Sequence, residues 1–208
     1  TALEDQIRKA NRIFVAGAGR SLLMIRGFAM RLEYRAMEQA FVVGLRGAAV
    51  YFAELGTAFL GKLSHKGYLR HLLVRRAIKT GEILVDLITT TQTDTFEGTE
   101  EALLRGWTER LQALPMEGSF AGILHTKNDT LADAVKDEGT DILFGREHFY
   151  EELLGLRFQI SPFSFFQTNS LGAEVLYEKT REYVGETKGK VVFDLYSGTG
   201  TIAQLLAS

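Results

Sequence analysis

Cysteine is absent from all 208 residues of this sequence. This stretch of chain therefore cannot form a disulfide, a thiolate metal site or an iron–sulfur cluster, and it cannot supply a cysteine nucleophile. It also lacks an apolar run long enough to span a bilayer, and its first residues are polar and helix-like instead of a signal sequence. These absences predict a cytoplasmic protein without a membrane contact, and no histidine or carboxylate spacing predicts a metal site.

An excess of charge of one sign is lacking too. Lys and Arg number 24 against 26 for Asp and Glu, so the net charge of −2 provides no global field that would attract a polyanion. Any surface for nucleic acid must therefore be local. Between Glu54 and Glu82 there is no carboxylate but there are six cations. This block predicts either phosphate contacts to RNA or a solvated strand face, and the candidates for RNA contact are Arg70, Arg75, Arg76 and Lys79.

The N-terminal residues 1–32 predict a βα unit. Arg12 to Val15 has the pattern of a strand that runs into Ala16-Gly-Ala-Gly-Arg-Ser21, and a helix follows. This piece resembles the sugar-isomerase domain of 6-phospho-3-hexuloisomerases, in which such a loop holds a sugar phosphate. Arg20, Ser21 and the loop amides would have that role. The alternative is a glycine-rich turn that only packs.

The middle of the chain predicts mixed strands and one helix. Residues 69–77 and 82–90 alternate around Lys79-Thr-Gly81, which indicates a hairpin. Residues 99–114 place Leu103, Trp107 and Leu111 on one helical face, and Pro115 ends the helix. Residues 120–125 predict a strand with 141–144 as its partner, and residues 149–160, broken at Gly155, predict a second hairpin.

The most informative stretch is 157–200. Ser161-Pro162 interrupts a strand, Phe163-Ser-Phe-Phe-Gln167 follows, and Thr168-Asn-Ser170 opens a helix. Val191 to Leu195 is an apolar, β-branched run that predicts a buried strand, and Ser197-Gly-Thr-Gly-Thr201 predicts a sharp turn into another helix. At such a turn, Gly198 and Gly200 allow backbone amides to approach a ligand.

Together these two motifs resemble the bacterial RNA uracil-C5 methyltransferases, especially the type that acts on large-subunit ribosomal RNA. The residues that carry the resemblance are Phe165-Phe-Gln-Thr-Asn169 and Asp194-Leu-Tyr-Ser-Gly-Thr-Gly200, and the likeness extends over residues 62–208. It implies S-adenosylmethionine as cofactor and ribosomal RNA as partner. It also implies cofactor contacts from Gln167, Asp194, Tyr196, Gly198, Gly200 and Thr201.

By the resemblance, Phe165, or its neighbour Phe166, would stack a base swung out of the RNA, for which the alternative is core packing. The resembled enzymes use a Cys that adds to C6 of uracil, and both this Cys and their iron–sulfur cysteines are missing here. The site prediction therefore includes no catalytic residue. We expect the isolated 208 residues to bind the cofactor weakly and to show no turnover.

The predicted fold class is α/β. Residues 1–61 would form the βα unit with an unassigned segment, residues 62–160 a central α+β region that binds RNA, and residues 161–208 the start of a Rossmann-like methyltransferase domain. The predicted function is methylation of uracil C5 in ribosomal RNA. The alternatives are a phosphosugar isomerase and a non-catalytic RNA-binding fragment.

Overall fold

The computed structural model describes residues 51–52, 54–61, 63–131, 138–194, 197 and 199–207. The predictions for the N-terminal βα unit, for Tyr196 and for Gly198 lie outside these described residues. The described part contains both strands and helices, so the predicted α/β class is confirmed.

The first two strands form the hairpin predicted around Lys79-Thr-Gly81. Strand β1 covers Leu69–Arg76 and strand β2 covers Glu82–Thr89, and they pair antiparallel. Gly81 has φ of +68°, a left-handed conformation that glycine adopts without strain. A short 3₁₀ turn, Thr93–Thr95, follows the hairpin.

Helix α1 covers Glu100–Gln112 and confirms the predicted amphipathic helix. The Thr99 side chain caps it by accepting a hydrogen bond of 3.2 Å from the Ala102 amide. Its buried face carries Leu103, Trp107 and Leu111, and Trp107 is fully buried. The core position predicted for Trp107 is therefore confirmed.

Two more strands complete the main sheet. Strand β3 covers Ser119–Lys127 and strand β4 covers Thr140–Gly145, and they pair antiparallel as predicted. On its other edge β3 pairs parallel with β2, so the sheet order is β1-β2-β3-β4. The β2–α1–β3 connection is thus a βαβ crossover, which the local sequence patterns did not indicate.

The two faces of this sheet contribute to two different cores. We call the first core the cluster in which α1 packs on the sheet through Trp107 and Leu111, against Ile83, Val85 and Ile123. Residues of alternate parity point to the other face, where the second core begins.

The second core joins the sheet to the C-terminal elements. Strands β5, Phe149–Leu153, and β6, Leu156–Ile160, form the predicted second hairpin. Helix α2 covers Ser170–Val184 and helix α3 covers Thr201–Ala207. The sheet contributes Ala77, Leu84, Ala121 and Leu124 to this core, and the C-terminal elements contribute Phe149, Leu153, Phe158, Ile160, Ala173, Tyr177 and Leu205.

The predicted buried strand at Val191–Leu195 is wrong for the described residues 191–194. These residues have no regular secondary structure and pair with no strand in the described part of the chain. Val191 and Phe193 expose 82% and 81% of their surface. A parallel strand depends on hydrogen-bonded neighbours and on covered faces, and an apolar run without them does not become a buried strand.

Within the described residues, no helix is both long enough and apolar enough to cross a membrane.

Candidate functional site

The aromatic segment before α2 starts from a braced turn. The hydroxyls of Ser161 and Ser164 lie 2.6 Å apart, and the Ser164 amide donates to the Ser161 carbonyl at 3.3 Å. From β1, the Arg75 guanidinium donates to the Ser164 carbonyl at 2.8 Å. These contacts fix the point from which the following phenylalanines project.

The two adjacent phenylalanines have different environments. Phe166 packs against the second core, with its ring centroid 5.9 Å from that of Phe158. Phe165 is 73% exposed. Core packing, the alternative to base stacking, therefore describes Phe166 and not Phe165, whose ring is accessible to a partner.

Gln167 lies next to the helix that it precedes. Burial raises the pKa of Tyr177, and the side chain of Gln167, near the Tyr177 hydroxyl, opposes the rise. Asn169 caps α2 by accepting from the Gly172 amide at 2.9 Å, which confirms the predicted helix start. Gln167 therefore stands two residues before a capped helix start.

The glycine-rich turn leads into α3 as predicted. Gly200 has φ of +69°, and its amide donates to the Ser197 carbonyl at 2.8 Å. Thr201, the first residue of α3, is buried, and its hydroxyl lies 2.8 Å from that of Thr199. Because its hydroxyl is turned toward the loop itself, the predicted cofactor contact from Thr201 would compete with this bond.

Asp194 orders this turn. Its Oδ2 accepts a hydrogen bond of 3.2 Å from the amide of Ala203 in the first turn of α3. A carboxylate at this point satisfies one of the amides that a helix start leaves unpaired and is favoured by the helix dipole. In the structure Asp194 thus orders the loop, and its predicted cofactor contact stays a prediction.

The two motifs meet indirectly through the second core. Tyr177, whose hydroxyl lies near Gln167, and Leu205 of α3 belong to the same buried cluster. Gln167 and the helix after the glycine turn are therefore connected through one packed layer. Whether Gln167 and Tyr196 converge on one pocket stays a prediction, because Tyr196 lies outside the described residues.

The predicted RNA-contacting cations do not form one patch. Arg75 and Arg76 are neighbours in β1, so their side chains point to opposite faces of the sheet. Burial lowers the pKa of Arg75, and Arg76 lies 3.8 Å from the carboxylate of Glu117. Lys79 is paired with Glu174 of α2.

Arg70 braces a loop. One nitrogen of its guanidinium donates to the carbonyls of Asn128 and Thr130 at 2.5 and 2.8 Å and to the Asn128 side chain at 3.1 Å. These bonds join β1 to the segment after β3. Arg70, Arg75, Arg76 and Lys79 thus all make contacts within the chain, and RNA contact from them stays a prediction.

His125 of β3 is buried. His125 Nε2 lies 2.8 Å from the Thr89 hydroxyl and 3.4 Å from that of Tyr68, which donates to Glu100 at 2.9 Å. Burial lowers the pKa of His125, while Glu100 acts in the opposite direction. The strand pattern could have indicated this burial, because His125 lies two residues after the buried Ile123 and therefore points to the same face of the sheet. No group of three or more metal-ligating side chains occurs in the part of the chain that the structure describes.

Comparison with known proteins supplies relatives for this chain. No family model matches it. It is 48% identical over 157 residues to an RNA methyltransferase of Clostridium tetani, a match that covers 76% of this chain and 33% of that protein. An RNA methyltransferase of Clostridium acetobutylicum is 46% identical over 169 residues, covering 81% and 36%.

A third relative aligns with almost the whole chain. The RNA methyltransferase of Oceanobacillus iheyensis is 27% identical over 214 residues, which covers 99% of this chain and 45% of that protein. This alignment runs through the N-terminal 61 residues, so it includes the segment predicted as a separate βα unit.

A solved structure resembles the fold as well. It is the Pyrococcus abyssi tRNA (uracil-54, C5)-methyltransferase in complex with S-adenosyl-L-homocysteine, with a TM-score of 0.55 and 28% identity over 76% of this chain and 35% of that chain. The chain spans about a third of the length of the first relatives that it matches. By sequence and by fold, it belongs to the family of RNA methyltransferases that includes the uracil-C5 enzymes.

Proposed function

We propose that the protein carrying this chain transfers a methyl group from S-adenosylmethionine to C5 of uracil in RNA. The observation that carries the proposal is the fold shared with a uracil-C5 methyltransferase solved with S-adenosylhomocysteine. The relatives at 48% and 46% identity, which are RNA methyltransferases, add support from sequence.

The cofactor side of the proposal rests on the two motifs. Gln167, beside Tyr177, would direct its amide donor and acceptor to the amino-acid end of the cofactor. Gly198 and Gly200 would let loop amides approach it, and Tyr196 would contribute a ring. Asp194 would act mainly by holding the loop against α3. Thr201 would contribute only by giving up its bond to Thr199.

The base side of the proposal rests on Phe165. An exposed aromatic ring on a braced turn is suited to stack on a base that has left its helix. Uracil C5 becomes nucleophilic once a group adds at C6, and a thiolate is suited to that addition. This chain has no cysteine. We propose that the thiol belongs to the two thirds of the relatives' length that this chain does not match.

Ribosomal RNA is the proposed substrate class, on the resemblance of the two motifs to the enzymes of large-subunit ribosomal RNA. The RNA would be held locally, because the net charge of −2 gives no attraction over the whole surface. Arg70, Arg75, Arg76 and Lys79 are proposed to contact phosphates of the RNA.

The test is methyl transfer by the full-length natural protein. The protein would be incubated with radiolabelled S-adenosylmethionine and with ribosomal RNA or tRNA from cells that lack the gene. The RNA would then be digested and the nucleosides identified by mass spectrometry. We expect 5-methyluridine in ribosomal RNA. Label in tRNA alone would contradict the substrate class, and label on another base would contradict the reaction.

A second experiment tests the base contact. Phe165→Ala should weaken binding of a uridine-containing RNA loop by about 1–3 kcal/mol, because a stacked base loses its platform. Phe163→Ala removes a ring that is 39% exposed in the same loop and is the matched control. Equal losses for the two variants would contradict a specific role for Phe165.

A further inference from the structure

Glu151 is a buried carboxylate that sequence analysis did not select. In strand β5 it lies between Phe149 and Leu153 in the alternating pattern that points into the second core. Its exposed fraction is 1%. A carboxylate in such a position destabilises the fold unless hydrogen bonds replace its hydration.

Four neutral donors supply those hydrogen bonds. Oε1 accepts from the amides of Lys79 and Glu152, each at 3.0 Å. Oε2 accepts from the Ile78 amide and from the Ser170 hydroxyl, each at 2.7 Å. Glu151 therefore joins the β1–β2 turn, strand β5 and the first residue of α2 through a single side chain.

A second carboxylate joins the same elements. Glu174 of α2 accepts from the Lys79 ammonium group and, at 2.8 Å, from the Leu154 amide. Ser170 and Glu174 are four residues apart, so both ties reach the first turn of α2 from one side. The N-terminal end of α2 is thereby fixed against the β1–β2 turn.

The position of α2 decides the position of Gln167. Gln167 precedes the helix by three residues, and its side chain lies near Tyr177 on the buried face that also carries Ser170. A shift of the helix start would therefore move the segment that carries Gln167.

We infer that Glu151 is a positioning residue for the cofactor side of the enzyme: by holding Ser170 and the Ile78–Lys79 amides, it sets α2 and so directs Gln167 at the methyl donor. This inference rests on the proposed function, because it needs a donor for Gln167 to contact. Glu151 itself lies beneath the helix and touches no substrate.

The charge-neutral variant Glu151→Gln is a sharp probe. A carboxylate accepts at both oxygens, whereas an amide nitrogen only donates. Each Glu151 oxygen faces a backbone amide, so the glutamine nitrogen must meet an N–H in either orientation. The matched control is Glu152→Gln, which makes the same change on the exposed face of the same strand.

The experiment measures S-adenosylhomocysteine binding by calorimetry, and KM for S-adenosylmethionine and kcat with RNA, in the full-length natural protein. For Glu151→Gln we expect the Kd for S-adenosylhomocysteine and the KM for S-adenosylmethionine to rise about tenfold, with kcat at saturating donor within about twofold. Ser170→Ala should give a smaller rise in the same direction. Glu151→Gln and Ser170→Ala break the same contact. The double variant should therefore weaken donor binding by less than the sum of the two single effects in free energy.

The outcomes distinguish the proposed function from the positioning role of Glu151. Absence of S-adenosylhomocysteine binding by the unchanged protein would overturn the proposed function itself. If the unchanged protein binds and Glu151→Gln binds equally well, or loses kcat at constant KM as a partly unfolded sample would, the positioning role is overturned. If Glu151→Gln does not fold, Ser170→Ala decides: a raised KM supports the role, and an unchanged KM overturns it.

Discussion

The two cores of the molecule differ in how completely they cover their apolar residues. In the first core, the sheet and α1 bury Trp107, Leu111 and Ile123 almost fully. Around the second core, α2 buries Ala173 and Tyr177 on one side but leaves other large apolar residues exposed. Those of α2 and the following segment are Leu171, Val175, Leu176, Tyr183, Val184, Val191, Val192, Phe193 and Ile202.

This difference shows that a sheet covers the apolar face of a helix more completely than a small hairpin does. α1 lies on a sheet in which β2 and β3 pair along their whole length, so every apolar residue of its inner face meets a neighbour. α2 meets the two-stranded β5–β6 hairpin and the seven-residue α3, which present a smaller surface. Burial, and the stability that depends on it, is therefore greater in the first core.

The largest expected effect comes from a matched pair of core truncations. Leu111 and Leu205 are both 1% exposed, one in each core. Leu111→Ala should cost about 3–5 kcal/mol of unfolding free energy, because the surrounding first core cannot collapse into the cavity. Leu205→Ala should cost about 2 kcal/mol, because α3 is short and can relax.

Urea unfolding checks this pair with two probes. Trp107 is the only tryptophan, so its fluorescence reports the first core, while far-ultraviolet circular dichroism reports both. We expect Leu205→Ala to shift the dichroism midpoint more than the fluorescence midpoint. Equal costs and coincident midpoints for both variants would remove the distinction between the cores.

A smaller effect is expected from pH at His125 in the first core. Burial lowers the pKa of His125 below its ordinary value of about 6.5, so the folded state favours the neutral ring. Its contribution to stability is complete above that pH and is lost as the pH falls below it. Stability measured by Trp107 fluorescence should therefore fall more steeply below pH 6.5 in the natural sequence than in His125→Gln. His148→Gln is the control, and an unchanged slope in His125→Gln would contradict the prediction.

The next effect in size is expected at the glycine-rich turn before α3, beside the second core. Asp194→Ala should destabilise the first turn of α3 by about 1 kcal/mol, because the Ala203 amide loses its acceptor. Hydrogen exchange of the Ala203 amide should accelerate accordingly. Asp194→Asn keeps an acceptor oxygen, so its exchange rate at the Ala203 amide should lie between those of the unchanged protein and Asp194→Ala. Equal protection of Ala203 in all three proteins would show that the carboxylate does not order the turn.

The smallest effect on stability is expected from Phe193→Ser. This ring is 81% exposed, so its removal should change the unfolding free energy by less than about 0.5 kcal/mol. Binding of a hydrophobic dye and self-association should both decrease, because exposed apolar surface drives them. Phe158→Ser, at a position 4% exposed, should instead destabilise the second core strongly. Comparable stability losses for the two would mean that Phe193 is covered in solution.

Local patterns predicted most elements but not their long-range partners. Both hairpins, α1 and the start of α2 follow from alternation, a helical face and capping residues, which act over a few positions. The parallel pairing of β2 with β3 was not predicted, because nothing within either strand specifies a partner across a helix. The strand predicted at Val191 failed for the same reason, since its apolar run has no paired neighbour among the described residues.

The candidate site was predicted unevenly. The motifs identified Gln167, Asp194 and Phe165 by residue type, and their contacts to cofactor and base stay predictions. They did not indicate that Glu151 would anchor α2. A side chain's partners come from elements distant in sequence, so residue type alone cannot specify them.

The sequence by itself determined the α/β class, the helix and strand segments with short-range signals, the absence of thiol chemistry in this stretch, and the relation to RNA methyltransferases. Only the tertiary structure decided that His125 and Glu151 are buried, that the predicted RNA-binding cations are engaged within the chain, and that Phe165 is accessible while Phe166 is not. The physical reason is that local propensity depends on neighbours along the chain, whereas burial, ion pairing and hydrogen-bond partners depend on surfaces that meet only when distant segments pack.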